Sequence, residues 1–486
     1  MKANLSKTLE YDLKAVPTEL YTFVNENIEL SNQNQTVLLW YLINNAVPRQ
    51  SKSIPLNFRR LRSFNGGKQT SITKFLYDFR ETMAANGITF TFTNAVNKQK
   101  CREVKKFECS HLFNTIIQIK CKKHSQFTRL STGEILDSKS YTQLEHERRK
   151  LYHKEYNVNQ LHPDLLSLKK LQNHLNNLPA NTFQRLFNKN SSQALTYINS
   201  IPDKESRTSA LITFRQIELS PKPLYNNFEE TGTCRLYTSS SFANIKREVR
   251  KIFFQTFVEV DLVCAHLSII ACMLDCKKLQ EHLQTPNQKW DIFLPQHDNI
   301  IIHELKPVVK EAVYSIVYGK AKPFVRKSLI AQYSEYQNKA FSKPINNEWA
   351  KNEADKLLNS AIISELLSKI RSFLEAIRKK AFLDAFGRAY KANNSEQARS
   401  FLSFILHSFE FKLLLPIFED LIRRKRQNIV LYQFDGFTVK LNKRSELKGF
   451  SNRISGILNT HKDKIFQESS FKPNSSMNVS IECNAL

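Results

Sequence analysis

The chain has 486 residues, 41% of them apolar, with 72 Lys and Arg against 45 Asp and Glu for a formal net charge of +27. The length suggests two to four domains with substantial cores. The positive excess is spread along the chain rather than gathered in a tail, so a polyanion, most plainly nucleic acid, is the expected partner. On a reading of the letters no apolar run approaches the ~20 residues that span a bilayer, so no membrane is expected.

The start, MKANLSKTLEYDLKAVPTEL, carries Glu10, Asp12 and Glu19. It has neither a secretory apolar core nor the acid-poor look of a transit peptide. The eight cysteines form no CxxC pair, and Cys121 with His124 finds no second pair of suitable spacing. Unpaired thiols in a chain of this size suggest a reducing compartment, either a bacterial cytoplasm or an organelle that encodes the protein.

In chain order, residues 1–34 read as an N-terminal arm and 35–122 as a unit. QTVLLWYLINNA reads as one helix and NFRRLRSF as a second, with a break at Gly66-Gly67. A third helix comes next, with Ile72, Phe75, Leu76, Phe79 and Met83 on one face, and Gly87 stops it. ITFTFTNAV alternates and reads as a strand, and LFNTIIQIKC reads as another. Three helices and a two-stranded ribbon have the order of a winged helix. Its third helix would enter a major groove with Lys68, Gln69, Thr70, Ser71 and Lys74 at its start. A small α+β domain that touches no base has the same order. Residues 123–215 are mostly helical and polar, and Asp203-Lys204-Glu205 after Pro202 reads as a turn.

The stretch FFQTFVEVDLVCAHLSIIA, residues 253–271, begins as a buried strand carrying Asp261 and turns into a helix around His266. A strand-end Asp can hold a metal at a sheet edge, and it can equally cap the following helix. Between 305 and 327, Lys306, Lys310, Tyr314 and Tyr318 lie four apart on one helical face. Two cations and two rings along one stripe can hold a triphosphate and stack on a base; a basic amphipathic helix with core tyrosines reads the same way. Residues 346–383 read as one long amphipathic helical stretch, and 396–426 as a long helix ending in the basic run Arg423 to Arg426. NIVLYQFDGFTVKLN, residues 428–442, reads as a hairpin around Asp435-Gly436. A last strand is expected near Met477 to Cys483. Two Asp residues on separate strands are what a two-metal phosphoryl-transfer site requires, with Mg²⁺ ions about 3.5–4 Å apart.

Taken together, Lys306, Lys310, Tyr314 and Tyr318-Gly319 resemble the fingers helix of family A DNA polymerases. The stretches around Asp261 and Asp435 resemble that family's two palm carboxylate motifs. TGTCRLYTSSSFANIKREVR (231–250) is similar to its primer-template segment, and DAFGRAY (384–390) to its Gly-Arg element. Arg399, Ser403 and His407 have the spacing of its minor-groove helix. The resemblance covers residues 231–440 and implies an α+β right-hand fold: an antiparallel palm sheet with helical fingers and thumb. On that pattern 123–215 is a helical connector or thumb, 216–283 the first part of the palm, 284–394 the fingers and 395–486 the second part of the palm. Residues 35–122 also resemble, loosely, the winged-helix domains of plasmid replication initiators.

The resemblance implies a template-directed DNA polymerase without a proofreading exonuclease, for a plasmid, organelle or other mobile element. Asp261 and Asp435 would bind two Mg²⁺ ions, and Lys310 would contact the triphosphate and serve as proton donor to pyrophosphate. Lys306, Tyr314, Tyr318 and His266 would surround the nucleotide. Arg235, Arg250, Arg388, Arg399 and His407 would hold primer-template DNA; Lys68 and Lys74 would meet origin duplex DNA. Deoxynucleoside triphosphates are the implied substrates. Three positions depart from the family: His266 and Gly436 stand where it usually has Glu, and His407 where it has Gln. The alternatives are a single-subunit RNA polymerase or primase-polymerase, and a catalytically inactive DNA-binding replication initiator.

Overall fold

The computed structural model describes residues 11–30, 32–45, 54–57, 61, 64–65, 72–93, 101–108, 112–156, 165–225, 233–238, 242–285, 290–297, 300–340, 348–424, 428–433 and 436–486. The chain falls into two compact units. The first comprises Met1–Asn157, Asn176–Asn226 and Tyr237–Gln255, and the second Val158–Leu175, Asn227–Leu236 and Thr256–Leu486.

In the first unit the helix Gln33–Asn45 is buried nearly all round, from Val37 to Ile43, and so sits at the centre of its core. The helix Ile72–Ala85 turns the expected face of Ile72, Phe75, Leu76, Phe79 and Met83 into that core. A three-stranded antiparallel sheet orders Ile54–Asn57, Cys101–Glu108 and Thr89–Thr93. The partner of the Thr89–Thr93 strand is therefore Cys101–Glu108, and Leu112–Cys121 is a helix rather than a strand. Its β-branched run suggested a strand, but Ile116, Ile117 and Ile119 all bury in the core as a helix, where packing overrides a weak propensity.

The expected arm is a second correction. Ala15–Pro17 is a strand, Thr18–Asn27 is a helix, and Leu20 and Val24 bury in the same core. That strand pairs with Gln126–Arg129, which pairs in turn with Ile135–Asp137. Helices Ser138–Tyr156, Ala180–Ser200, Lys204–Leu219 and Arg247–Phe253 complete the unit. Phe187, Phe214, Phe242 and Phe253 pack ring on ring among them, with Phe242 edge-on to Phe253 at 4.9 Å. Asp203-Lys204-Glu205, read as a turn, instead opens a helix: Asp203 N-caps Lys204–Leu219 by accepting from the Ser206 amide at 2.8 Å, and Lys204 and Glu205 lie in its first turn.

The second unit is built on a four-stranded antiparallel sheet in the order Asn428–Tyr432, Gly436–Lys440, Val258–Val263, Ser480–Ala485. The central strand Val258–Val263 buries Val258, Val260 and Leu262 and leads into the fully buried helix Ala265–Met273. The expected hairpin around residue 435 and the last strand both form. Helices Lys306–Val317, Lys322–Ala340, Glu348–Asn359 and Ala361–Lys379 come one after another. The stretch read as one helix from 346 to 383 is broken at Ser360, whose hydroxyl accepts from the Ile363 amide and starts a new helix.

The helix Ser395–Arg423 is, among the described residues, the one long and apolar enough to cross a membrane by length and composition, which corrects the reading that no such run exists. Its most apolar window is 67% buried inside the protein. Scattered polar residues such as His407 and Glu410 hide the run from a reading of the letters. Arg423 and Arg424, at its basic end, turn back onto Asp420 at 3.1 and 3.0 Å.

Candidate active site

Asp261 is the fourth residue of the central strand and is half-buried. Gly436 pairs with it on one side and Glu482 on the other. Directly opposed residues of antiparallel strands share a sheet face, so Gly436, Asp261 and Glu482 form one row. A Cβ at residue 436 would lie 2.2 Å from Asp261 Oδ1 and 2.5 Å from the Val260 carbonyl. Only glycine fits there, which is a physical reason for Gly rather than Glu after Asp435. Asp435 itself lies outside the described residues.

Strand and helix are joined by the single residue Cys264, which takes the left-handed conformation at φ 54°. That tight turn puts His266 in the first turn of the helix Ala265–Met273. His266 is buried, with Nδ1 2.8 Å from the Tyr318 hydroxyl and Nε2 3.1 Å from Glu410 Oε1. Its ring meets Tyr314 edge-on at 6.4 Å and lies 5.7 Å from His407.

Glu410 is buried in the Ser395–Arg423 helix and accepts Arg235 Nε at 2.9 Å and Nη2 at 2.7 Å. Burial would raise its carboxyl, but His266 and Arg235 together bring it down to about 2. His407 Nδ1 lies 3.0 Å from the Thr233 hydroxyl and Nε2 3.4 Å from that of Ser403. Burial, reinforced by the Arg235 charge, lowers His407 to about 3, so its imidazole is neutral at pH 7. Thr233, Arg235, His266, Tyr318, His407 and Glu410 thus make one polar network, buried at Thr233, His266, His407 and Glu410 and half-buried at Arg235 and Tyr318.

Lys306, Lys310 and Tyr314 lie on the helix Lys306–Val317, with Tyr318 at its C-cap, and all four are half-buried. Lys310 Nζ sits 5.2 Å over the Trp290 ring, and Trp290 packs against Tyr314 at 5.8 Å. Gly319 ends the helix at φ 79°, and a Cβ there would meet Arg399 Cγ and Leu374 Cδ1 at 3.0 Å. Arg399 is exposed, with its stem against that turn.

Two arginines expected on nucleic acid are occupied inside the protein. Arg235 is only 15% exposed in its pair with Glu410. Arg388 donates its Nε to Asp384 at 2.8 Å and an Nη to Cys234 Sγ at 2.9 Å, locking the hairpin between Phe382–Leu383 and Ala389–Tyr390. A buried guanidinium held by a carboxylate is a structural group, and the desolvation cost of freeing it is large. Arg250 lies on Arg247–Phe253 in the first unit, and Lys74 is exposed on Ile72–Ala85 opposite its core face. Lys68 lies outside the described residues.

The structure therefore brings together His266, Tyr314, Tyr318 and His407, and sets Asp261 three residues before Cys264, the turn that leads to them. Glu410 and Glu482 were missed. A lone carboxylate in the apolar run SFEFKLLLP is costly to bury unless paired, and that was the available signal for Glu410. Among the described residues no group of three or more His, Cys, Asp or Glu could hold a metal ion. Asp261 and Glu482 supply the oxygen donors that Mg²⁺ prefers.

No protein-family model and no curated protein matches the chain. Among solved structures it is similar to the POL domain of Pol1 from M. smegmatis, in complex with DNA primer-template and dNTP, at 12% identity and a TM-score of 0.40, over 72% of this chain and 71% of that one.

Proposed function

We propose that the chain is a template-directed DNA polymerase that transfers nucleotides by a two-metal mechanism, without proofreading, in the replication of a plasmid, organellar or other mobile element. The observation that carries this reading is the row Gly436–Asp261–Glu482 across the central strands, with His266 and its bond to Tyr318 one tight turn further on. The sheet would be the palm and the helices between 306 and 379 the fingers.

Asp261 and Asp435 would hold two Mg²⁺ ions, and Glu482 offers a further oxygen in the same row. When bound, such ions lower the pKa of the attacking hydroxyl and steady the leaving oxygen. Lys306 and Lys310 place positive charge along one helix face for a triphosphate, and Lys310, steadied over Trp290, is the proton donor to departing pyrophosphate. Tyr314 packs on the incoming sugar and base. His266 and Tyr318 hold each other, so the sugar meets a wall fixed by Glu410 behind it. Arg399, exposed near the start of the helix Ser395–Arg423 with its stem against the Gly319 turn, would meet the duplex. Neutral His407 would then act through Thr233 and the network rather than on DNA directly.

For the first unit the order of helix Gln33–Asn45, strand Ile54–Asn57, helix Ile72–Ala85 and strands Thr89–Thr93 and Cys101–Glu108 supports a winged-helix reading, with Lys74 turned outward and origin duplex as its ligand. The test is primer extension with Mg²⁺ on DNA and on RNA templates, with ribonucleotides competing against deoxynucleotides. The expected result is preferred deoxynucleotide use on a DNA template. Equal or preferred ribonucleotide use would favour an RNA polymerase or primase, and no extension would favour an inactive initiator.

A further inference from the structure

The first unit contains a cavity of about 700 Å³ that the polymerase reading does not use. Its walls come from the strand Ala15–Pro17, the end of the helix Leu112–Cys121, the helix Ser138–Tyr156, the first turn of Ala180–Ser200 and the last turns of Lys204–Leu219. That volume lies within the range of sites for small organic ligands.

Its lining is strongly cationic. Lysine and arginine far outnumber carboxylates, which among the described lining residues are Glu145 and Glu218. Those two are engaged already: Arg148 Nε donates to Glu145 at 2.8 Å, and Glu218 pairs with Arg215 at 2.9 Å and Lys123 at 3.5 Å. Lys120 instead directs its ammonium at the carbonyls of Ile43 and Asn44, at 2.9 and 3.3 Å, and Lys222 donates to the carbonyl of Asn176. Burial lowers Lys120 to about 7 and lowers Lys222 as well. An anion entering the cavity would restore the charge that burial disfavours.

Two more features give the ligand its shape. The helix Ala180–Ser200 starts at Pro179 with no side-chain cap, and Asn181 of its first turn lines the cavity. The opposite character comes from Val16, Leu20 and Phe127, with Phe127 stacked on Tyr141 at 4.1 Å between ring centroids. A cationic lining beside an apolar, ring-bearing wall suits a molecule with a phosphate at one end and a flat ring at the other.

We propose that this cavity binds a nucleoside 5′-phosphate, either as a free mononucleotide or as the phosphorylated 5′ end of a strand. The phosphate meets the cationic lining that includes Lys120 and Lys222, and the base lies against the wall of Phe127 and Tyr141. This site is independent of the candidate active site and does not rest on the polymerase reading.

The experiment is isothermal titration of the full chain carrying Lys310→Ala, without divalent metal, so that the other nucleotide face is silent. AMP is compared with adenosine, and a 5′-phosphorylated oligonucleotide with its 5′-hydroxyl counterpart. AMP should bind about tenfold or more tightly than adenosine, about 1.4 kcal/mol. Near pH 7.5 its enthalpy should change with the ionisation enthalpy of the buffer, because the anion draws a proton back onto Lys120. Lys120→Met and Lys222→Met should each weaken AMP by about tenfold. Each melts cooperatively if the fold is kept, and either folded variant suffices for the test. Preference for the phosphorylated oligonucleotide over AMP assigns the ligand to strand ends, and the reverse assigns it to free nucleotide. Equal binding of AMP and adenosine, or unchanged AMP affinity in a folded lysine variant, overturns the proposal.

Discussion

Gly436 shows how much one residue can decide. Its missing side chain lets the strand Gly436–Lys440 approach Asp261, and Gly436→Ala would drive a methyl into Oδ1 and the Val260 carbonyl. Asp261 must then move by a substantial part of an ångström, and a misplacement of that size costs on the order of 10²-fold in rate. We expect primer extension to fall by about that factor while the sheet still forms, as read by extension rate beside a thermal melt. A wild-type rate in Gly436→Ala would show that Asp261 needs no fixed position. At the same scale, His407 is held neutral to about pH 3, well below its ordinary 6.5. Between those values the unfolded chain binds a proton that the folded chain does not, so stability falls as pH falls. Glu410 extends the loss from its ordinary 4.5 down to about 2. By pH 4 the His407 contribution should amount to on the order of 3 kcal/mol, and His407→Gln should flatten the melting-temperature profile between pH 6.5 and 4. A profile of unchanged slope in that variant would contradict the buried neutral imidazole.

At the scale of elements, the proposed nucleotide site rests on the helix Lys306–Val317, where Lys306, Lys310 and Tyr314, with Tyr318 at the C-cap, share a face by spacing alone. Lys310→Ala should raise the apparent KM for deoxynucleotides by about ten- to a hundredfold, the equivalent of one or two charge-assisted bonds, and leave duplex affinity unchanged. Steady-state titration of nucleotide at fixed primer-template reads this directly, and an unchanged KM would remove this face from the nucleotide site. Local spacing was also what made the elements legible. The 3.6-residue repeat of Ile72, Phe75, Leu76, Phe79 and Met83, the hairpin around residue 435 and the strand carrying Asp261 all appear in the letters. What long-range pairing decides did not. Ala15–Pro17 is a strand because Gln126–Arg129 lies beside it, and Leu112–Cys121 is a helix because the core beneath it takes Ile116, Ile117 and Ile119. Arg235 and Arg388 read as phosphate ligands because their carboxylate partner or thiol lies far away in sequence: Glu410 for Arg235, and Cys234, beside the local Asp384, for Arg388.

For the molecule as a whole, the net charge of +27 and the two units are the governing facts. The strand pairing of residues 15–17 with 127–129, and the presence of Ile212 in the core that holds Trp40 and Phe79, tie the first 122 residues to segments later in the chain. The duplex binding proposed for the first unit is therefore best measured in the full chain. The central claim, two-metal nucleotidyl transfer on the sheet of the second unit, rests on Asp261. The most direct measurement is single-turnover primer extension by Asp261→Asn with Mg²⁺, run beside primer-template affinity at the same salt concentration. Extension should be abolished and affinity should stay within about twofold of wild type, since a near-isosteric change at one proposed metal ligand removes no contact of the basic surface. Extension at the wild-type rate by Asp261→Asn would contradict that claim.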